Sequence, residues 1–224
     1  MRETVRLARR HGVAVGAHPS YPDPAGFGRK RLPRSAVEVR ADVVAQVRAL
    51  AAICRTEGVP LVHVKPHGAL YNAAAEDEAL ARAVAEGVGE VDPGLVVVCL
   101  AGSSMVRVVR GLGLACAEEA FADRGYTPRG TLVPRGEPGA LVQDPQAVAA
   151  RASRIARERV VVAVDGTTVP VAADTLCLHG DTPGARDIAR AVRAALLEAE
   201  VVVRPLRGWK PKGPDPGPPP LPRA

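Results

Sequence analysis

Three short apolar runs in this sequence each end in a cluster of Gly, Pro and polar residues that contains a histidine. The runs and their histidines are Val13–Ala17 with His18, Leu61–Val64 with His67, and Thr175–Leu178 with His179. Continuous apolar runs of this length are typical of strands that are buried on both faces of a parallel sheet. In α/β proteins the carboxyl ends of such strands meet at one edge, where active sites are built. The pattern therefore predicts an enzyme.

Helical and strand-like segments alternate along the chain at spacings typical of βα units, which predicts an α/β fold with mostly parallel strands. Periodicity alone leaves open whether the sheet closes into a barrel. The clearest helix runs from Ser35 to about Glu57, because Ser35 and Glu38 form a capping-box pattern ahead of an apolar face. Asp165-Gly166 between two apolar runs predicts a β-hairpin. Further expected elements are a loop reaching Ala75, a helix over Glu76–Gly87, strands Leu114–Ala117 and Val201–Val203, and a polar segment over Glu118–Asp144.

The 224 residues suit one domain, which we place at residues 1–204. Residues 205–224 are rich in Pro, Gly and Lys and contain only three large apolar side chains, Leu206, Trp209 and Leu221. Such a segment buries too little apolar surface to fold by itself. We expect this tail to be disordered or polyproline-like, and dispensable for the chemistry.

Composition narrows the class of partner. The net charge of +6 is modest and no dense basic run carries aromatic residues, so nucleic-acid binding is not expected. No apolar run is long enough to span a bilayer, and the Arg-rich amino terminus lacks the apolar core of an export signal. The four cysteines form no C-x-x-C pair, which is typical of reduced core thiols. We therefore expect a cytoplasmic protein that acts on a small molecule.

The first two histidine clusters carry groups suited to catalysis and to anion binding. Prolines stiffen the loop that follows His18, so this loop could hold His18 and Asp23 over a pocket. Lys65 could hold a carboxylate or phosphoryl oxygen, and His67 could act as a general base or acid near neutral pH. Asn72 could orient a carbonyl or amide. The alternatives are that His18 caps its strand, that Lys65 is a surface residue and that His67 is structural.

Two later clusters supply further candidates. Asp123 could orient a histidine or a water molecule, and Arg124 beside it could clamp an anion. The acids of this segment could also simply face water. His179 is a second candidate base, and Asp181 could bind the substrate or cap the next helix.

Several common motifs are missing from the sequence. There is no P-loop, no dinucleotide-binding fingerprint and no Gly-x-Ser-x-Gly elbow. Histidines together with an Asp could bind a divalent metal, but neither H-E-x-x-H nor H-x-H occurs. No metal ligand is therefore assigned.

Taken together, these segments resemble the LamB/YcsF family. The matching stretches are collinear, reach to about Val203 and as a set are highly specific. They are Gly12–Arg29 (GVAVGAHPSYPDPAGFGR), His63–Asn72 (HVKPHGALYN), Leu100–Ser103 (LAGS), Glu118–Tyr126 (EEAFADRGY), Gly130–Asp144 (GTLVPRGEPGALVQD) and Leu176–Asp181 (LCLHGD). The residues that lie where the family motifs carry their polar groups are His18, Asp23, Lys65, His67, Asp123 and His179.

The resemblance implies a (β/α) barrel of the glycoside hydrolase/deacetylase type. It also implies the ATP-driven opening of 5-oxo-L-proline to L-glutamate by a 5-oxoprolinase, in which this chain would be the A subunit and would need the B and C subunits as partners. The residue chemistry agrees with such an amide hydrolysis. Lys65 or Arg124 would hold the substrate carboxylate or a phosphoryl group, and His67 or His179 would deprotonate water and then protonate the leaving nitrogen. The alternatives are a metal-dependent deacetylase-like hydrolase on the same barrel and a non-catalytic binding remnant.

The resemblance further implies segments that do not occur in this chain. Family members open with a strand reading Asp-Leu-Asn-x-Asp-x-Gly-Glu and then a segment Cys-Gly-Phe-His-Ala-Gly-Asp, and neither is present here. Met1–His11 reads as the end of the helix that follows the second segment. We therefore expect a barrel that is incomplete at the N-terminus by on the order of 40 residues, a little over one βα unit.

Overall fold

The structure, a computed structural model, describes residues 1–206. The predictions made for residues 207–224, Trp209 among them, lie outside the described residues. The helices are α1 (Arg2–Arg10), α2 (Ala36–Thr56), α3 (Gly68–Glu76), α4 (Glu78–Val91), α5 (Ser104–Gly111), α6 (Pro145–Glu158) and α7 (Ala185–Glu198). The strands are β1 (Val15–Ala17), β2 (Leu61–Val64), β3 (Val96–Leu100), β4 (Cys116–Phe121), β5 (Val160–Val162), β6 (Thr168–Pro170) and β7 (Thr175–Cys177).

The described residues form two compact units, and the first comprises residues 1–117 and 204–206. Its strands β1, β2 and β3 lie side by side in this order and are parallel, with Gly16 opposite His63 and His63 opposite Val96. The amide of Val97 donates to the carbonyl of Ala115 at 2.8 Å, so the chain that enters β4 lies beside β3. Helices α2 to α5 pack with β2 and β3 in a core made almost entirely of Val, Leu and Ala.

The second unit comprises residues 118–203. Strand β4 pairs in parallel with β7 through Glu119–Thr175, Ala120–Leu176 and Phe121–Cys177. Strands β5 and β6 form an antiparallel hairpin, which confirms the prediction made from Asp165-Gly166. Helices α6 and α7 pack together on an apolar cluster. The parallel pairing in both units confirms the α/β class with mostly parallel strands, and the single domain over residues 1–204 stays a prediction.

The helix starts follow from local side-chain chemistry. At the start of α2 the hydroxyl of Ser35 accepts from the amide of Glu38 at 3.3 Å, and the Glu38 carboxylate accepts from the Ser35 amide at 2.9 Å. This is the predicted capping box, which gives hydrogen-bond acceptors to two backbone N–H groups that have none within the helix. Asp77 and Asp144 also cap α4 and α6 through their side chains. No helix among residues 1–206 is long and apolar enough to cross a membrane.

Three predicted elements were wrong. The loop expected before Ala75 contains helix α3, whose Leu70, Tyr71 and Ala74 are buried. Strand β4 extends to Phe121 through acidic residues, because pairing with β7 outweighs their low strand propensity. Val201–Val203 is not a strand: the Val201 amide donates to Leu196 O at the end of α7, at 2.8 Å.

Aromatic residues are few, and the three tyrosines of the chain are all buried. Tyr21 is 2% exposed, Tyr71 is 4% exposed and Tyr126 is 0% exposed. Tyr126 lies in the second unit, where its hydroxyl accepts from the Phe121 amide at 2.8 Å. Burial raises the pKa of Tyr21 and of Tyr126 above the usual value.

Candidate active site

Two histidines from neighbouring strand ends meet in the first unit, and we call His18 and His67 the histidine pair. The Nδ1 of His67 lies 2.9 Å from the Nε2 of His18. The other nitrogen of each ring contacts a main-chain carbonyl: His18 Nδ1 is 2.6 Å from Lys65 O, and His67 Nε2 is 2.8 Å from Phe27 O. The two loops are also joined through the backbone, because the His67 amide donates to Pro19 O at 2.8 Å. All four ring nitrogens of the pair therefore have protein partners.

The loop of residues 23–28 positions the Phe27 carbonyl to accept a hydrogen bond from the histidine pair. One carboxylate oxygen of Asp23 accepts from the Gly26 amide at 2.9 Å, and the Asp23 carbonyl accepts from the Gly28 amide at 2.9 Å. These bonds hold Phe27 at a φ of 53°, which is in the left-handed region. Gly28, also left-handed, leaves no room for a Cβ against Ser20. Asp23, predicted to bind substrate, thus shapes the loop, and its Oδ2 is buried without a hydrogen bond in the described chain.

Two cations belong to the segments that form the histidine pair. The Lys65 ammonium lies 5.5 Å from the centroid of the Tyr71 ring. The Arg29 guanidinium lies 5.1 Å above the ring of Phe27, and that ring meets His67 edge to face at 5.2 Å. Positive charge on aromatic faces beside two histidines suits the binding of an anionic group.

His63 is a half-buried polar residue of β2 for which no role was predicted from the sequence. Its ring packs directly against Gly16, where any Cβ would overlap it. Its Nδ1 is buried and makes no hydrogen bond within residues 1–206. Burial, helped by the charge of Lys65, lowers the pKa of His63, so this imidazole is neutral at physiological pH. A histidine inside an apolar strand, opposite a glycine, is the sequence signal that could have identified it.

In the second unit Asp123 and His179 form a hydrogen-bonded dyad. A single oxygen of Asp123, Oδ2, accepts from the His179 amide at 2.9 Å and from its ring Nδ1 at 2.8 Å. Burial by itself would raise the pKa of Asp123, but the hydrogen bonds and charge of His179 outweigh it and lower that pKa. The carboxylate is therefore ionised at neutral pH and fixes the proton of His179 on Nδ1. The ring also stacks on Phe121 at 5.8 Å, so its Nε2 has a fixed direction and a lone pair that can take a proton.

Two arginines, the buried Arg124 and the half-buried Arg151, hold the backbone around this dyad. Arg124 donates to Ala140 O at 2.9 Å and to Val133 O at 2.6 Å. Arg151, from α6, donates to Ala122 O at 2.9 Å and to Arg124 O at 2.6 Å. Burial lowers the pKa of both guanidinium groups. The clamp on an anion predicted for Arg124 stays a prediction, and Arg151 was not among the residues predicted from the sequence.

The remaining predicted residues lie at the surface. Asn72 is exposed on α3 and makes no hydrogen bond to the histidine pair within the described chain. Asp181 is exposed in the turn after His179. Over residues 1–206 no three or more His, Cys, Asp or Glu side chains are arranged to hold a metal ion.

Comparison with known proteins shows which family this sequence matches. The sequence profile of the LamB/YcsF family matches residues 1–211. The A subunit of 5-oxoprolinase from Chloroflexus aggregans is 54% identical over 207 residues, which are 92% of this chain and 82% of that protein. The corresponding protein of Thermus thermophilus is 52% identical over 202 residues, 90% of this chain and 81% of its own.

A solved structure agrees with this result. The crystal structure of a lactam utilization protein from Thermus thermophilus matches with a TM-score of 0.84 and 51% identity, over 91% of this chain and 81% of that chain. The match supports the predicted barrel-like α/β class. The chain belongs to the LamB/YcsF family.

Proposed function

We propose that this chain is the A subunit of a 5-oxoprolinase, which opens the lactam of 5-oxo-L-proline to L-glutamate. The observation that carries the proposal is identity of 54% and 52% to proteins named as the A subunit of 5-oxoprolinase, over nine-tenths of this chain. The name of the solved relative, a lactam utilization protein, is in keeping with it. We place the reaction in the cytoplasm, where the cysteines stay reduced.

The Asp123–His179 dyad supplies the general base. A planar lactam resists attack, so water must lose a proton as it adds to the carbonyl carbon. With its Nδ1 proton held by Asp123, His179 takes that proton on Nε2, and the Asp123 carboxylate stabilises the imidazolium that forms. His179 then gives that proton to solvent, and protonation of the leaving nitrogen needs a second, acidic group.

The first unit supplies anion recognition. The substrate carries a carboxylate, and Lys65 and Arg29 are cations in the segments that form the histidine pair. Lys65 is a better candidate for a carboxylate than Arg124, because the Arg124 guanidinium is buried and donates to two backbone carbonyls.

We include the B and C subunits in the proposal, because the relatives are named as one subunit of an enzyme. We also include ATP, which the resemblance of the sequence to the family implies. A phosphoryl group requires cationic donors, and Lys65 and Arg29 are the residues of this chain that would hold one. ATP would supply the driving force for the opening of the ring. The roles given to His179 and Asp123 do not depend on which protein of the complex binds it.

The test is reconstitution of the chain with the B and C subunits, followed by an assay of glutamate released from 5-oxoproline. We expect turnover only with all three proteins and ATP. His179→Gln should lower kcat on the order of 10²–10⁴-fold, the usual worth of general acid–base catalysis. The matched control is His11→Gln, which changes an exposed histidine after α1. Binding of 5-oxoproline without any turnover of the complete complex would overturn the proposal.

A further inference from the structure

We propose that His18 and His67 act as one proton-holding unit, and that the proton shared by this pair holds the loop of residues 23–28 closed on His67. The inference stands on the hydrogen-bond geometry of the pair. The catalytic use given to it below rests on the proposed lactam opening.

The geometry fixes the number of protons on the histidine pair. A carbonyl oxygen can only accept, so His18 Nδ1 donates to Lys65 O and His67 Nε2 donates to Phe27 O. The contact between His18 Nε2 and His67 Nδ1 needs one further N–H. Three hydrogen bonds in a row, with an acceptor at each end, thus require three protons on two rings. Two neutral imidazoles have only two, so the bonded pair is an imidazole and an imidazolium.

Loss of one proton must break one of the three hydrogen bonds. At that contact two acceptors would face each other: either the two ring nitrogens, each with a lone pair, or a ring nitrogen and a carbonyl oxygen. We expect the bond to Phe27 to be the one that breaks. Phe27 has a left-handed backbone, which is unfavourable for a residue with a side chain, and it is 61% exposed. Lys65 directly follows β2, and its amide is held by Ala17 O at 2.9 Å. Deprotonation therefore releases the Phe27 carbonyl and leaves a lone pair on Nε2 of His67.

In the proposed reaction the charged pair serves as a general acid. The leaving nitrogen takes the place of the Phe27 carbonyl at Nε2 of His67. The bond between Nε2 and its proton then breaks, a new N–H bond forms on that nitrogen, and the pair becomes neutral. His67 keeps its other proton on Nδ1, bonded to His18. Solvent receives the proton that His179 releases and supplies one to restore the charged pair. His18 is then a positioning residue, because its bond to Lys65 O decides which nitrogen of His67 carries the remaining proton.

The charges around the pair decide the pH at which the proton leaves. Lys65 and Arg29 are positive charges in the segments that form the pair, and positive charge favours loss of the proton. Asp23, in the loop that the pair binds, is a negative charge that favours its retention. Tyr71 of α3 lies under the Lys65 ammonium, and His63 is neutral because burial and Lys65 lower its pKa.

The first experiment measures protons and loop closure on the intact chain. We expect ¹⁵N NMR of labelled histidines, recorded over a pH series, to show one proton leaving the pair in a step that both rings report. Over the same pH range the amide protection of Gly28 and Arg29, corrected for intrinsic exchange, should fall about tenfold or more, because a charge-assisted hydrogen bond is lost. His18→Gln should abolish the shared step, and His11→Gln should preserve it.

Independent titration of the two rings, or loop protection that stays constant across the step, would overturn the proposal. Both readouts are made without substrate, so the pair can pass this test even if the lactam proposal fails.

The second experiment tests the role of His18 in the reconstituted complex. His18→Gln should shift the alkaline limb of the kcat profile and lower kcat, with little change in the KM for 5-oxoproline. A loss that is equal at every pH would assign His18 a purely structural role and would contradict the positioning role.

Discussion

Asp123 fixes both the main chain and the ring of His179 with one carboxylate oxygen. Asp123→Asn keeps the size of the side chain but offers an amide in place of a carboxylate. It can no longer both hold the Nδ1 proton and stabilise an imidazolium. We expect kcat for glutamate release to fall on the order of 10²–10⁴-fold, with the fold retained by circular dichroism.

The matched control for this change is Asp165→Asn in the β5–β6 turn, where Asn-Gly is also a favourable hairpin sequence. An Asp123→Asn enzyme with the turnover of the control would rule out the dyad as the base.

The lowered pKa of Asp123 also predicts how activity depends on pH. Since the carboxylate stays ionised down to below its usual 3.8, its protonation should not limit activity between neutral pH and that value.

The position of a histidine after a predicted strand was enough to select it as a candidate site residue. It was not enough to predict the groups that orient the ring. His18, His67 and His179 follow strand ends, where polar residues gather. Phe27 acts through its main-chain carbonyl, and the identity of a residue carries no signal for such a role. Arg151 did have a signal: it lies three residues after Val148 and four before Ile155, on the buried face of α6.

Among the elements, helix α2 depends on its capping box. Ser35→Ala removes the hydroxyl that accepts from the Glu38 amide. We expect the free energy of unfolding to fall by about 1 kcal/mol, the usual cost of a lost N-cap, measured by urea denaturation. Ser153→Ala inside α6 is the control, because it removes no cap and introduces a better helix former. Equal stability of the two variants would contradict the role of the cap.

Helix α1 is tied to the end of α2 through Glu57. The Glu57 side chain is 7% exposed and accepts from Arg2 at 3.3 Å and from Arg6 at 2.9 Å. The Arg6 hydrogen bond, with the charges of the neighbouring arginines, lowers the pKa of Glu57 below its usual 4.5. A lowered pKa gives stability that is present above pH 4.5 and is lost as the pH falls through the folded value.

Glu57→Gln should therefore lower the Tm at neutral pH, and the difference from the unmodified chain should shrink in acid. Thermal melts at several pH values measure it. Glu158→Gln, which changes an exposed ion pair of α6, is the control and should have little effect. A Tm difference for Glu57→Gln that is the same in acid would exclude the ionised carboxylate as its cause.

Local signals were sufficient for some elements and insufficient for others. The start of α2 and the β5–β6 hairpin depend on neighbouring residues, and both were predicted. The length of β4 depends on β7, more than fifty residues away in the chain, and an acidic segment gives no local sign of it. Val201–Val203 has strand-forming residues, but a strand also requires a partner, and here the chain continues the turn that ends α7.

For the whole molecule, the α/β class followed from the alternation of apolar runs and helices. The barrel-like form did not, because the same alternation serves open and closed sheets. Its support comes from the solved relative, with a TM-score of 0.84. The activity likewise required more than composition, since nothing in the charge or the apolar fraction distinguishes a lactam from other small substrates.

The burial of the tyrosines gives each compact unit an optical signal of its own. Tyr21 and Tyr71 belong to the first unit and Tyr126 to the second. Because burial raises the pKa of Tyr21 and of Tyr126, the folded chain should resist phenolate formation above the usual 10.0, while the unfolded chain ionises there. Stability should therefore fall as the pH rises past that value.

After a jump to alkaline pH, ultraviolet absorbance of phenolate should grow at the rate of unfolding measured by circular dichroism. Immediate ionisation of Tyr21 and Tyr126 would contradict this. In Tyr126→Phe the absorbance reports the first unit alone, and in the double variant Tyr21→Phe, Tyr71→Phe it reports the second. The opening of each unit can thus be timed by its own phenols, without an added label.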